Sequence, residues 1–244
     1  GVSIAAADMA NGGAPVGSGE ILFLSGTSMS SPHTAGAAAL MRAVQPSWTV
    51  SEVKSAMQMT ADLTGRKEDN STAVDIDDVG TGRVDLAKAP NAGFVMDETF
   101  ANYLAANPST GGDPKTLNIP SVRNSTCGAS CSWTRVLTPK LAYGTTWSVS
   151  TTTDSPAWTL TVTPDSFDSL NADVIFEDGL DGDVFVAASE QTITITASGT
   201  IPTINDGMSF GYVTLTDLSG NSPDLVITVA VNQSVPYGGV APAD

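Results

Sequence analysis

Near residue 112 the hydrophobic period of this 244-residue chain changes from helical to two, and that switch bounds the folds open to it. Beyond it, Thr192-Ile193-Thr194-Ile195-Thr196 alternates without a break, and Leu225, Ile227, Val229 and Val231 fall on one side of a strand. The segments 117–120, 132–137, 146–150, 158–163 and 210–216 carry similar patterns, so seven short strands are expected. Turn-rich stretches such as Asp178-Gly179-Leu180-Asp181-Gly182 separate some of them. Seven such strands in about 120 residues predict two stacked sheets.

Charge divides the chain in a similar place. All ten Lys and Arg lie in residues 1–140, whereas residues 141–244 hold 13 carboxylates and no cation. Such an acidic half is soluble and self-repelling, and its apolar alternation argues against disorder. A formal net charge of −16 argues against a nucleic-acid partner. One histidine and two cysteines exclude a His-rich zinc site and any Cys-rich zinc or iron–sulfur site. The longest run of apolar or small residues, 35–41, is far short of the ~20 needed for a membrane span.

The first 111 residues read as helix with little strand. Ile21-Leu22-Phe23-Leu24 is a strand candidate, and a helix follows from about 28 to 44. Its small residues (Ala35, Gly36, Ala37, Ala38, Ala39) suit close packing inside a protein, and Pro46 ends it. A second helix starts with a capping box, Thr49 and Glu52, inside a hydrophobic staple of Trp48 and Val53. A weaker helical pattern covers 97–106, with Phe100, Tyr103 and Leu104 on one side, and 107–114 is a linker by composition. Cys127 and Cys131 either close a five-residue loop or stay reduced in a turn. A bridge there would add at most about 2 kcal/mol and would mark an oxidising, extracytoplasmic compartment.

Chemistry concentrates in Gly26-Thr27-Ser28-Met29-Ser30-Ser31-Pro32-His33-Thr34-Ala35-Gly36. The string follows a strand and opens a helix. Ser28 therefore sits where unpaired N–H groups and the positive end of the helix dipole favour a developing oxyanion. Read on its own, a serine before a helix is more simply a helix cap. His33, five residues further, is ~140° round and ~7.5 Å along a helix, too far to be the base for Ser28.

The whole string resembles the nucleophile motif of the subtilisin-like serine proteases, the subtilases. It departs from their usual pattern at Ser30 and Thr34. The resemblance runs back to Gly1-Val2-Ser3-Ile4 and on through Pro46-Ser47-Trp48-Thr49, Glu52-Val53-Lys54-Ser55-Ala56, Thr60-Ala61 and Gly80-Thr81-Gly82-Arg83-Val84-Asp85. Leu117-Asn118-Ile119-Pro120-Ser121 and Cys131-Ser132-Trp133-Thr134-Arg135 are similar to the fibronectin type III-like domain that follows in many larger subtilases. The implied layout is a catalytic-domain portion (1–92), a helical connector and linker (93–111), a β-sandwich (112–235) and a tail (236–244). The implied fold class is an α/β fragment, mostly helical, followed by an all-β fibronectin III-like sandwich.

The same resemblance makes Ser28 the acyl-forming nucleophile, with its own N–H as one oxyanion donor, and makes His33 structural. The catalytic Asp, His and oxyanion Asn would lie upstream of Gly1, as if a longer protein had been cut. The expected function is that of the C-terminal part of a secreted, extracellular serine endopeptidase acting on protein or peptide substrates. This chain alone, without the N-terminal part of the same protease, is expected to be inactive. Two alternatives stand beside it: a non-catalytic β-sandwich module carrying a protease remnant, and a degenerate protease that has lost its triad.

No cofactor is required by this chemistry. Two acidic clusters, Asp75-Ile76-Asp77-Asp78 and residues 177–183, invite calcium, but neither fits a calcium-loop motif and solvated acidic turns are the simpler reading. Asn70-Ser71-Thr72, Asn124-Ser125-Thr126 and Asn232-Gln233-Ser234 match the glycosylation triplet, which is short enough to arise by chance.

Overall fold

A computed structural model describes residues 3–7, 21–67, 69–177, 184–201 and 207–232. It divides the chain into two compact units, residues 1–46 and 47–244.

In the first unit, strands β1 (Ile4–Ala7) and β2 (Ile21–Leu24) pair antiparallel, with Ile4 opposite Leu24 and Ala7 opposite Ile21. The Ser3 N–H donates to Ser25 Oγ at 2.9 Å, tying the two strand ends together. Helix α1 (Thr27–Val44) follows at once. Its small residues do not bury every face: Ala37 and Met41 are buried, but Leu40 and Val44 are exposed.

The second unit opens with α2 (Val50–Met59). Thr49 Oγ1 accepts from the Glu52 N–H, and Glu52 Oε2 accepts from the Thr49 N–H at 2.8 Å, so the capping box forms as its sequence predicts. Trp48, Val53, Ala56 and Met57 are buried. After α2 the chain runs mainly through turns. It contains one short helix, α3 (Ile76–Val79), before strand β3 (Phe94–Val95) and helix α4 (Phe100–Ala105). Helix α4 is shorter than the predicted 97–106, because Thr99 caps it by accepting from the Asn102 N–H at 3.2 Å. Phe100, Tyr103 and Leu104 all remain exposed.

Ten further strands follow. They are β4 (Ser121–Asn124), β5 (Ser130–Pro139), β6 (Thr146–Thr153), β7 (Trp158–Thr163), β8 (Ser166–Asp168), β9 (Leu170–Glu177), β10 (Val184–Ala188), β11 (Gln191–Gly199), β12 (Ser209–Asp217) and β13 (Leu225–Val231). A four-stranded sheet has the order β3-β5-β11-β7 and a five-stranded sheet the order β4-β13-β12-β6-β8, while β9 and β10 form a separate ribbon. All pairs are antiparallel except β4 with β13.

Alternation decides which side chains lie between the large sheets. Along β11, Ile193, Ile195 and Ala197 are fully buried; along β7, Trp158, Leu160 and Val162 are buried. On the other sheet Val213, Leu215, Leu225, Ile227 and Val229 are fully buried. The two inner faces touch at Gly211. A Cβ there would lie 2.9 Å from the Trp158 ring and 3.1 Å from Leu160, so only glycine allows the approach. A second inter-sheet contact is edge-to-face, with the rings of Phe94 and Trp147 5.0 Å apart.

The expected class, an α/β and mostly helical first part followed by an all-β sandwich, is overturned. Among the described residues strand outweighs helix, and of the four α-helices only α1 and α2 exceed six residues. An α/β unit needs parallel strands with helical crossovers, but the strands described before residue 92, β1 and β2, pair antiparallel with each other. Much of 60–99 is held by turns and by isolated bridges such as Asp62 to Arg83. Two strand expectations also shift. Residues 117–120 are not a strand, and pairing begins at Ser121. Strands β8, β9 and β10 were not anticipated. The turn expected at Asp178-Gly179-Leu180-Asp181-Gly182 lies outside the described residues.

Cys127 and Cys131 are bridged, with Cα atoms 5.2 Å apart. Loop-closure entropy for so short a ring limits its contribution to about 2 kcal/mol. Reduction is therefore expected to lower the melting temperature by only a few degrees in differential scanning calorimetry; loss of the folding transition would contradict this.

Candidate active site

Ser28 is the second residue of α1, placed by a strand, a two-residue turn and a helix start. Gly26 makes the turn with φ +152°, a conformation that side chains resist. Its carbonyl accepts from the N–H groups of Met29 (3.1 Å) and Ser30 (3.3 Å), which closes the first turn. The Ser28 N–H is one of the four opening donors with no carbonyl a turn back to bond. No acidic residue occupies that first turn, so the positive end of the dipole is uncompensated locally. Ser28 itself is exposed. Pro32 lies inside the helix and has no N–H for the Ser28 carbonyl, which removes one helical bond beneath the serine.

The sole imidazole is committed elsewhere. His33 Nδ1 donates to the Met29 carbonyl at 2.8 Å, one turn back on its own helix. That bond holds the ring against α1.

The Asp75-Ile76-Asp77-Asp78 cluster is engaged in capping and ion pairs. Asp75 accepts from the N–H groups of Asp77 and Asp78, and Asp78 accepts from the Asp75 N–H. Lys67 Nζ lies 2.8 Å from Asp78 and 3.2 Å from Asp75, and Arg123 pairs with Asp77 at 2.5 Å. The Lys67 hydrogen bond, with the Asp75 N–H, holds the Asp78 carboxyl below its ordinary range. Residues 178–183 of the other acidic cluster lie outside the described residues.

A polar junction that the sequence does not signal joins the segments 117–121 and 131–135. The Asn118 side chain accepts from the Val136 N–H (2.9 Å) and donates to the Val136 carbonyl (2.9 Å) and the Asp97 carbonyl (3.1 Å). Arg135, 1% exposed, donates Nε to the Ile119 carbonyl at 2.9 Å and Nη1 to the Thr134 carbonyl at 2.8 Å. The segments 117–121 and 131–135 thus dock on each other. Burial pushes the Arg135 pKa down to about 10, and the nearby Glu98 charge opposes that shift. Burial would raise the Glu98 pKa, but the N–H groups of Asn118 and Thr99, the Asn102 amide and the Arg135 charge outweigh it and keep Glu98 ionised. A second buried pair joins Lys140 Nζ to Glu52 Oε1 at 2.5 Å, with the ammonium 5.4 Å from the Trp48 ring. Lone charges in strand or loop sequence would have been the only signal for either.

This strand–turn–helix places an exposed serine hydroxyl beside the unpaired N–H groups of a helix start. Residues 9–85 match the subtilase family. It is 38% identical over 110 residues to the Arabidopsis thaliana subtilisin-like protease SBT1.6, covering 41% of this chain and 14% of that protein. It is 39% identical over 91 residues to the Solanum lycopersicum subtilisin-like protease SBT3, covering 35% of this chain and 12% of that protein. The chain therefore spans about a seventh or less of the length of these relatives. Among solved structures, an MSP family member of C. elegans, WR4, aligns at 10% identity and a TM-score of 0.28, over 47% of this chain and 93% of that one. Likeness at that level carries no assignment of the sandwich. Among the described residues no helix is long and apolar enough to cross a membrane.

Proposed function

We propose that this chain is part of a secreted subtilisin-like serine endopeptidase in which Ser28 forms the acyl-enzyme. The reading rests chiefly on one observation: the string from Gly26 to Gly36 lies across a strand-to-helix turn, with Ser28 second in the helix. Attack by the Ser28 Oγ on a peptide carbonyl would create an oxyanion, and the free N–H at this helix start can donate to it. The attacking hydroxyl must lose its proton to a neighbouring base, and His33 is bonded to its own helix. The base, its orienting acid and a second oxyanion donor would come from the rest of the protease. The chemistry calls on no cofactor. The Cys127–Cys131 bridge supports an oxidising, extracellular setting.

A fluorophosphonate probe tests this. In the parent protease, extended to the length of its relatives, the probe is expected to label Ser28 stoichiometrically, as read by peptide mass spectrometry. The 244-residue chain alone should remain unlabelled and should not hydrolyse casein. Labelling of the short chain at Ser28 would place a base within it; failure of the parent to react would leave a degenerate protease.

A further inference from the structure

The outer edge of β5 is filled in steps and then left open. Which of its main-chain groups face outward follows from pairing parity. Val136 lies opposite Thr192 on β11, yet its N–H and C=O are both taken by the Asn118 amide. The Lys140 N–H likewise goes to the Gly93 carbonyl. The odd-numbered pairs bond across to β11, as the Gly199 N–H to Ala129 carbonyl bond at 3.2 Å shows. Even-numbered residues of β5 therefore present their N–H and C=O to the free edge.

Along that edge, β3 covers Thr138 and Pro139, and the Asn118 side chain supplies at Val136 both bonds that a paired strand would make. The next two rungs are Thr134 and Ser132. The Thr134 carbonyl accepts from Arg135 Nη1, which leaves the Thr134 N–H and both Ser132 groups facing a groove. That groove has a volume of about 300 Å³, with Asp113, Lys115, Thr116 and Asn124 as walls beside Ser132 and Thr134.

We propose that this groove binds an extended polypeptide segment, which adds as a strand to the four-stranded sheet beside β5. Continuity with the existing edge carries the inference: the ladder of β3 and the Asn118 amide runs directly into the open rungs. Unpaired strand edges pair with any chain that supplies N–H and C=O groups at the sheet spacing of ~4.8 Å. Recognition is chiefly through the main chain, so it tolerates many side chains. The binding is separate from Ser28 chemistry and does not depend on it.

Fluorescence anisotropy with this 244-residue chain tests the proposal. The probe is a fluorescein-labelled hexapeptide of alternating Thr and Val, and its comparator is the same peptide N-methylated throughout. The unmodified probe should bind at least ten times more tightly than the methylated one, because methylation removes the main-chain donors. Thr134→Pro deletes the outward N–H at an edge position that tolerates proline and should weaken binding at least tenfold. Thr116→Trp fills the groove from its exposed wall and should do the same without touching β5, which keeps the test valid if the proline variant misfolds. Equal binding of both peptides, or no binding of either, overturns the proposal. A chain ending at Asn232 should bind the probe as the full chain does; binding only after that truncation would make residues 233–244 the occupant and overturn it too.

Discussion

Alanine in place of Ser28 is expected to lower kcat of the parent protease by at least about 10^4-fold, with KM little changed. On the proposed function, the substitution removes the hydroxyl that forms the acyl-enzyme. It leaves the helix start intact, since Gly26 makes the turn and its carbonyl closes it. Alanine is also a good helix former, so no loss of stability should accompany the loss of rate. The unequal effect on kcat and KM is the signature of an interaction made only on the way to the transition state. Steady-state kinetics on a chromogenic peptide would read both parameters. Retention of more than a tenth of kcat would remove Ser28 from the chemistry, and a parallel rise in KM would instead indicate damage to substrate binding. His33→Ala should behave differently, because it breaks only the bond to the Met29 carbonyl on its own helix.

Trp158→Ala should cost about 3–5 kcal/mol of stability. Trp158 is 1% exposed at the centre of the inter-sheet contact, against Gly211, and its Nε1 donates to Asp154 Oδ1 at 3.0 Å. The other oxygen of Asp154 accepts from the Phe210 N–H at 2.6 Å, so one carboxylate links both sheets. Truncation empties a large volume that glycine at 211 cannot refill, and it leaves Asp154 with fewer donors. At ~2–4 °C per kcal/mol, the midpoint of thermal unfolding should fall by about 6–20 °C. Phe100→Ala provides the contrast: Phe100 is 78% exposed and should shift stability by under about 0.5 kcal/mol. Similar losses at both positions would show that the sheets do not form one packed core.

Much of the local structure was legible. The capping box at Thr49 and Glu52 sets the start of α2, and Gly26 followed by a serine-rich, alanine-rich run sets the start of α1. Period-two alternation placed six of the seven expected strands, from β5 to β13, close to their observed positions. The seventh failed at 117–120 because its alternation reflects a different use: Leu117 and Pro120 are buried, while Asn118 reaches sideways to Val136. Strand β3 is two residues long, too short to show any period, and only pairing with β5 makes it a strand.

The candidate site divides in the same way. The place of Ser28 at a helix start was legible because Gly26 before it and the alanine-rich run after it lie within a few residues. The junction of Glu98, Asn118 and Arg135 was not, because its members lie up to 37 positions apart and a charge in sequence carries no mark of its partner. Lys140 and Glu52, 88 positions apart, were invisible for the same reason.

The sequence by itself therefore determined what depends on short-range physics. Caps, glycine turns and the alternation of strands all compete only with local alternatives. The tertiary structure decided the class of the first part, the partners of each strand and the fate of the buried charges. A lone strand exposes unpaired N–H and C=O groups, and many sequences could satisfy them. Which one does is settled by the packing of inner faces, such as Trp158 against Gly211, and that depends on the whole chain at once.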